Sequence, residues 1–333
     1  MRAIVLESAY GLENLKIVEK PDPKPGPGQI VVAIKVASLN YRDLATVTAP
    51  SGRIPFIPCS DGAGVVTAIG EGVSRVKVGD HVASLFFQTW LAGEATQKAL
   101  SGALGGTLDG VLQEKMLLSE QGVTPIPAGY SDEEAATLPC AALTAWRGLV
   151  IMGQVKSGDV VVLQGTGGVS IFALQFAKAA GATVIITSSS DEKLQRAKEL
   201  GADYLINYRS TPDWAKEVRR ITSNCGADHV VEVGGAGTFE QSLRAIRIGG
   251  KIAVIGVLGG WVKDLNVASI FATNAVINGI TVGSREHFES MTRAIEANGI
   301  KPVIDQRFPL AETRAAFESM KAGSHFGKIV VTM

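Results

Sequence analysis

The chain has 333 residues, 46% of them hydrophobic, with 32 acidic and 32 basic side chains. That length exceeds one ordinary core and suits two domains, and the balanced charge supplies no field to gather nucleic acid or an anionic membrane surface, so a small molecule is the expected partner. Cys59, Cys140 and Cys225 are too scattered for a disulfide framework, and no apolar run approaches the roughly 20 residues of a membrane span, so a soluble protein in a reducing, cytoplasmic setting is expected.

The N-terminal MRAIVLESAY carries charges at Arg2 and Glu7 within its apolar run, and reads as a strand rather than a signal peptide. Short strand-like runs follow, IVVAIKVAS and GVVTAIG among them, separated by turn clusters such as PDPKPGPG, which is an all-β pattern. At Ser131 and Glu134 a capping box is expected to open a helix, and from there strands and helices alternate. DVVVLQ is a β-branched run suited to a strand buried on both faces, and the next segment places Val169, Phe172, Phe176 and Ala180 on one helical face. TVIITSS, a helix with Leu194 and Ala197, and DYLINY come next. Then a helix opened by Thr211 and Pro212 carries Trp214, Val218 and Ile221. DHVVEVGG, a helix with Phe239, Leu243 and Ile246, KIAVIGV and ITVGS complete a parallel sheet of about six strands. From about Lys301 the chain turns back to a strand in PVIDQRF, a helix with Leu310, Phe317 and Met320, and a closing strand GKIVVTM.

Gly165, Thr166, Gly167, Gly168, Val169 and Ser170 stand between the strand DVVVLQ and the helix after it. Glycine-rich strings are frequent at plain turns in a chain with 38 glycines, so the strand-turn-helix context carries the reading. In that context Gly165 permits a tight turn, Gly167 lets the backbone approach a pyrophosphate, and the positive helix end attracts its charge. Ser170 fills the slot that must stay small for helix–strand packing. About 20 residues on, where an NAD site offers a carboxylate to the ribose, this chain has Ser188, Ser189 and Ser190, with Lys193 following. Hydroxyls and an ammonium suit a 2′-phosphate, so NADP(H) is the preferred cofactor. The alternative is that Ser190 only caps a helix and Lys193 is solvated, and Asp191 keeps NAD(H) possible.

GQIVVAIKVASLNYRD, IPCSDGAGVVTAIGEGV, VKVGDHV, EEAATLPCAALTAW, GTGGVS and GKIVV resemble the medium-chain dehydrogenase/reductase superfamily, on its zinc-independent, quinone-oxidoreductase-like side. The resemblance implies an α/β chain in which a Rossmann doubly wound parallel sheet (residues 128–299) joins a GroES-like β-rich domain formed by both chain ends (1–127 and 300–333), with an active-site cleft at their junction. At the positions that hold catalytic zinc in the zinc-dependent relatives this chain has Asn40, Ser60 and Cys140, a single thiol, so no zinc is expected. The cysteine-rich lobe that holds their structural zinc is also missing, and Cys140 reads as a small packing residue. The four histidines, His81, His229, His287 and His325, form no ligand spacing.

Without a Lewis acid, hydride addition to an already activated carbon is the easier chemistry, so quinones and α,β-unsaturated carbonyls are the expected substrates. The resemblance implies that Asn40 and Tyr41 lie near the nicotinamide, where an amide and a phenol could donate to a developing oxyanion or Tyr41 could pass a proton; the same pair could instead shape a strand end. It also implies that Thr144, Gly256, Val257, Leu258, Val282, Gly283 and Ser284 line the nicotinamide and its ribose, that Lys193 and Tyr208 hold the 2′-phosphate, and that the chain pairs as a homodimer through a sheet edge near ITVGS. Phe86, Phe87 and Trp90 could wall an apolar pocket or belong to the core. A metal-free alcohol dehydrogenase, and a cofactor-binding protein with little turnover, stand as the alternative functions.

Overall fold

Hydrophobic runs such as those of β-strands Gln29–Ser38, Val160–Gln164 and Thr183–Ser188 are largely buried, and the strands assemble into a two-, a six- and a seven-stranded sheet. The computed structural model describes residues 1–49 and 54–333. One unit comprises residues 1–143 and 282–333, and the other residues 144–281.

In the first unit β1 (Arg2–Leu6) and β2 (Leu15–Glu19) form an antiparallel ribbon. β3 (Gln29–Ser38), β4 (Asp61–Ile69), β5 (His81–Ser84), β6 (Lys115–Ser119) and β7 (Val123–Pro125) build most of a mixed sheet. Between β3 and β4 the chain forms a helix, Tyr41–Thr48, in a stretch whose pattern had read as all-β. Its buried residues are Asp43, Leu44 and Val47, a helical spacing too short to stand out beside the long β3. The expected capping box is present: Ser131 accepts from the Glu134 backbone N–H and the Glu134 carboxylate accepts from that of Ser131.

The second unit carries β8 (Val160–Gln164), β9 (Thr183–Ser188), β10 (Tyr204–Asn207), β11 (Ala227–Glu232), β12 (Ile246–Val254) and β13 (Val276–Gly279). They lie in the order β10-β9-β8-β11-β12-β13, every pair parallel. This is the dinucleotide-binding order, reversing direction between β8 and β11. Three details differ from expectation. The sixth strand is not ITVGS but the earlier Val276–Gly279, because Val282 takes a positive φ of 51° and Ser284 already caps the next helix. The helix expected to open at Thr211 and Pro212 begins at Trp214, capped by Asp213, whose side chain accepts from the Lys216 N–H. A helix at Val267–Thr273, with no buried residue, has no apolar stripe facing a core by which its sequence would reveal it.

The chain then returns to the first unit through β14 (Ile304–Pro309) and β15 (Lys328–Thr332). β14 pairs parallel with β15, and β15 pairs antiparallel with β3. Both chain ends thus share one sheet, with Leu6, Ile30, Val66, Phe317, Ile329 and Val331 in a common core. The second core gathers Val162, Ile185, Trp214, Val230, Leu243 and Ile252. Among the described residues no helix is long and apolar enough to cross a membrane.

Candidate functional site

The end of β3 collects polar groups from distant parts of the chain because its last residue sits opposite two strands. Ser38 faces Asp61 of β4 and Val330 of β15. That register brings Asn40, Asp61 and Lys328 into one buried cluster with Asp43, and none of these side chains is more than 8% exposed. The Lys328 ammonium donates to Leu39 O and to Asn40 Oδ1, both at 2.6 Å. Asp61 accepts from the Ser60 hydroxyl at 2.6 Å and from the Cys140 backbone N–H at 2.9 Å. Asp43 accepts from the Asn40 backbone N–H at 2.8 Å and from Arg42 Nη1 at 3.1 Å.

These contacts show what Asn40 and Tyr41 can offer. Asn40 is the N-cap of the helix Tyr41–Thr48, and its amide oxygen is taken by Lys328 while its nitrogen turns to Ser38 O and Asp61. Tyr41, at 52% exposure, is open to solvent. Of the two, Tyr41 is the accessible donor and Asn40 the buried support.

Burial pushes the Asp61 carboxyl up to about 6, the Asp43 charge adding to it, while Lys328 and the Ser60 and Asn40 hydrogen bonds pull it down. Burial likewise raises the carboxyl of Asp43 and the thiols of Cys59 and Cys140. An unfolded aspartate ionises near 3.8, so the folded state holds the Asp61 proton between that value and about 6. Stability from this group is therefore fully present below the lower value and lost as pH rises through 6. Relative to Asp61→Asn, the wild type should lose melting temperature between pH 5 and pH 7.5 in a thermal scan; parallel curves would remove the assignment.

Asn40, Ser60 and Cys140 do not fit a catalytic zinc. They offer an amide bound to a lysine, a hydroxyl spent on Asp61, and a thiol held protonated by burial and by Asp61. Among the described residues no group of three His, Cys, Asp or Glu side chains could hold a metal ion.

In the second unit the turn after β8 has the geometry a pyrophosphate needs. Gly165 sits at φ 70°, and Gly167 caps the helix Gly168–Ala179 with no side-chain bond to its first turn. A Cβ on either glycine would meet no protein atom within 4 Å, so the space above the turn is open for a ligand. Thr166 is buried, whereas Gly167, Gly168 and Val169 are partly accessible. Ser170 is buried beneath the turn and donates to Gln164 O at 2.7 Å, which is why a hydroxyl is tolerated there.

At the tip of β9, Tyr208 N–H donates to Ser188 O at 3.0 Å, which sets Tyr208 beside the serines. Ser190 does cap the helix Asp191–Glu199, accepting from the Lys193 backbone N–H. Asp191 is engaged by Asn207 Nδ2 at 2.7 Å. Ser189 and the Lys193 side chain are partly exposed, and Ser188 is buried.

The remaining candidates lie on three stretches. Gly256–Leu258 hangs on the loop after β11, with Leu258 N–H donating to Val233 O at 3.1 Å, and Thr144 is buried at the start of the same unit. Val282, Gly283 and Ser284 belong to the other unit. Val282 is a β-branched residue in left-handed backbone, Gly283 packs so tightly that a Cβ would lie 3.0 Å from Leu143 Cγ, and the Ser284 hydroxyl accepts from the His287 N–H. Phe86, Phe87 and Trp90 are core residues, each below 8% exposure, with Phe86 under the Arg42 guanidinium and Trp90 edge-on to His287.

Comparison with known proteins gives a consistent picture. Residues 26–128 match the alcohol dehydrogenase GroES-like domain family and residues 168–297 the zinc-binding dehydrogenase family. A zinc-type alcohol dehydrogenase-like protein of Schizosaccharomyces pombe is 44% identical over 99% of both chains, and an acryloyl-coenzyme A reductase of Sulfurisphaera tokodaii is 30% identical over 99% of both. A crystal structure from Sinorhizobium meliloti superposes with a TM-score of 0.94 at 42% identity, covering 100% of this chain and 98% of that one. An NAD-dependent alcohol dehydrogenase superposes at 0.91 with 36% identity, and a mycobacterial protein solved with NADPH at 0.85 with 26% identity, each covering both chains fully.

Proposed function

The chain belongs to the medium-chain dehydrogenase/reductase superfamily, and from that premise we propose that it is an NADPH-dependent reductase of quinones or α,β-unsaturated carbonyls that works without a metal. The observation that carries the reading is the cluster at the end of β3, where the positions of the zinc ligands are an amide bonded to Lys328, a hydroxyl bonded to Asp61 and a single thiol. An acceptor whose carbon is already activated does not require a Lewis acid on its oxygen. The similarity to an acryloyl-coenzyme A reductase and to an NADPH-bound structure supports the same class.

NADPH supplies hydride when bound. The chain's own contribution is to hold its pyrophosphate at Gly165–Ser170 and its 2′-phosphate at Ser188, Ser189, Lys193 and Tyr208. Thr144, Gly256–Leu258 and Val282–Ser284 orient the nicotinamide. Tyr41 donates a hydrogen bond to the substrate oxygen as charge develops on it, and Asn40, fixed by Lys328, holds the backbone that carries Tyr41. Steady-state loss of NADPH absorbance with a panel of quinones, enones and aldehydes tests the reading. Quinones or enones should turn over, chelator should leave the rate unchanged, and Tyr41→Phe should lower kcat at least about tenfold. Turnover of alcohols or aldehydes alone, or of nothing, would sink it in favour of an alcohol dehydrogenase or a cofactor-binding protein.

We further propose a homodimer through the edge of the parallel sheet. β13 lies at that edge, and in the segment between β12 and β13 Trp261 and Phe271 are 77% and 82% exposed, with Val267 also exposed. An open edge flanked by bare apolar side chains favours pairing with a second copy. Light scattering at micromolar concentration should give twice the chain mass, and Phe271→Asp should shift it toward the monomer. A wild type that runs only as a monomer would refute the pairing.

A further inference from the structure

We propose that Glu232 is the positioning residue of the cofactor crevice, a buried carboxylate that locks the phosphate-binding turn to the loop 233–238, on which the loop 256–260 hangs. The inference rests on the cofactor reading above. Glu232 ends β11 and is fully buried. Its Oε1 accepts from the Gly234 and Gly235 backbone N–H groups at 2.8 and 2.9 Å and from the Thr238 hydroxyl at 2.5 Å. Its Oε2 accepts from Gln164 Nε2 at 2.7 Å and from the Ser242 hydroxyl.

A carboxylate has about four lone-pair sites, so these donors saturate it. Each bond to a charged acceptor is stronger than a neutral one, and a buried anion deprived of its donors is costly. The cluster is therefore stiff, and its members are the parts that would surround a dinucleotide. Gln164 is the residue just before Gly165; its Oε1 accepts from Val233 and Gly234 N–H, and its carbonyl accepts from Ser170. The loop 256–260 hangs from the same place, with Ile255 N–H donating to Glu232 O at 2.8 Å and Gly259 N–H to Gly234 O at 2.6 Å. The Glu232 side chain thus ties the residue before the glycine turn to the loop 233–238, and backbone carbonyls of Glu232 and that loop hold the loop 256–260, all at the carboxyl ends of β8 and β11. In an open parallel sheet that is where ligands bind, at the point where strand order reverses.

Glu232→Gln keeps the shape but replaces one oxygen with an NH2 group, which must face donors whichever way the amide turns. At a temperature well below its own melting point, the variant should bind NADPH at least about tenfold more weakly by fluorescence titration. With an accepted substrate, KM for NADPH should rise in parallel while kcat at saturating cofactor changes less than about threefold. Thr238→Val, which removes one donor, should give a smaller shift of the same sign. A lowered melting temperature with an unchanged dissociation constant would reduce Glu232 to a structural residue and overturn the proposal. Should Glu232→Gln fail to fold, an unchanged dissociation constant in Thr238→Val would overturn it equally, and a weakened one would support it. A wild type that binds neither NADPH nor NADH defeats the cofactor reading itself, and this inference with it.

Discussion

Lys328→Met should lower the free energy of unfolding by about 3–5 kcal/mol at pH 7.5, measured by denaturant titration. Lys328 is 3% exposed and shares its surroundings with Asp43 and Asp61, both at 0%. Its charge pulls the carboxyls of both aspartates downward against the burial that raises them. A methionine of similar length fills the space but takes the ammonium from two buried carboxylates, Arg42 still bonding to Asp43. They would answer by holding protons to higher pH, so the deficit should shrink at pH 5, where neutral carboxyls need no cation. Lys328→Arg, which keeps the charge, should recover part of the loss. A deficit below about 1 kcal/mol at pH 7.5 would mean that the ammonium is not what holds these carboxylates in the interior.

Cofactor preference should reverse when the tip of β9 is recharged. NADPH and NADH differ by the 2′-phosphate, so discrimination must come from the groups that surround it, which in the proposed site are Ser188, Ser189, Lys193 and Tyr208. A charge-assisted hydrogen bond to phosphate contributes on the order of 1.5–3 kcal/mol, which is roughly a tenfold to hundredfold preference. Lys193→Ala should weaken NADPH by about that factor and NADH little. Ser188→Asp should go further, because the new carboxylate repels the phosphate and accepts from a free 2′-hydroxyl, giving a combined swing on the order of a thousandfold. Ser188 is buried at the end of β9, its carbonyl accepting from the Tyr208 N–H and its hydroxyl from the Ser190 N–H. Calorimetric titration of both cofactors reads the outcome. Equal affinities in the wild type, with Lys193→Ala lowering both alike, would make these residues a plain helix start.

The amino-acid sequence by itself determined what depends on neighbours a few residues apart. The β-branched run before Gly165, the left-handed turn at that glycine and the capping box at Ser131 and Glu134 are local events, and their spacing specifies them. So does the repetition of strand and helix that ends in a parallel dinucleotide-binding sheet. Local patterning was less reliable where two short segments competed. Val276–Gly279 took the edge position expected of ITVGS, since the backbone at Val282 and the cap at Ser284 commit the later segment to entering a helix. Phe86, Phe87 and Trp90 left pocket and core equally open in the sequence, and packing decided for the core. What only the tertiary structure decided is the company kept by buried charge. Lys328 meets Asn40 across 288 positions because β15 closes onto β3, and Glu232 meets Gln164 across 68 because β11 pairs with β8. No periodicity announces such a partner: a lysine in GKIVV or a glutamate in VVEVGG looks like any charge beside a strand until pairing register buries it, and burial then dictates what must stand against it.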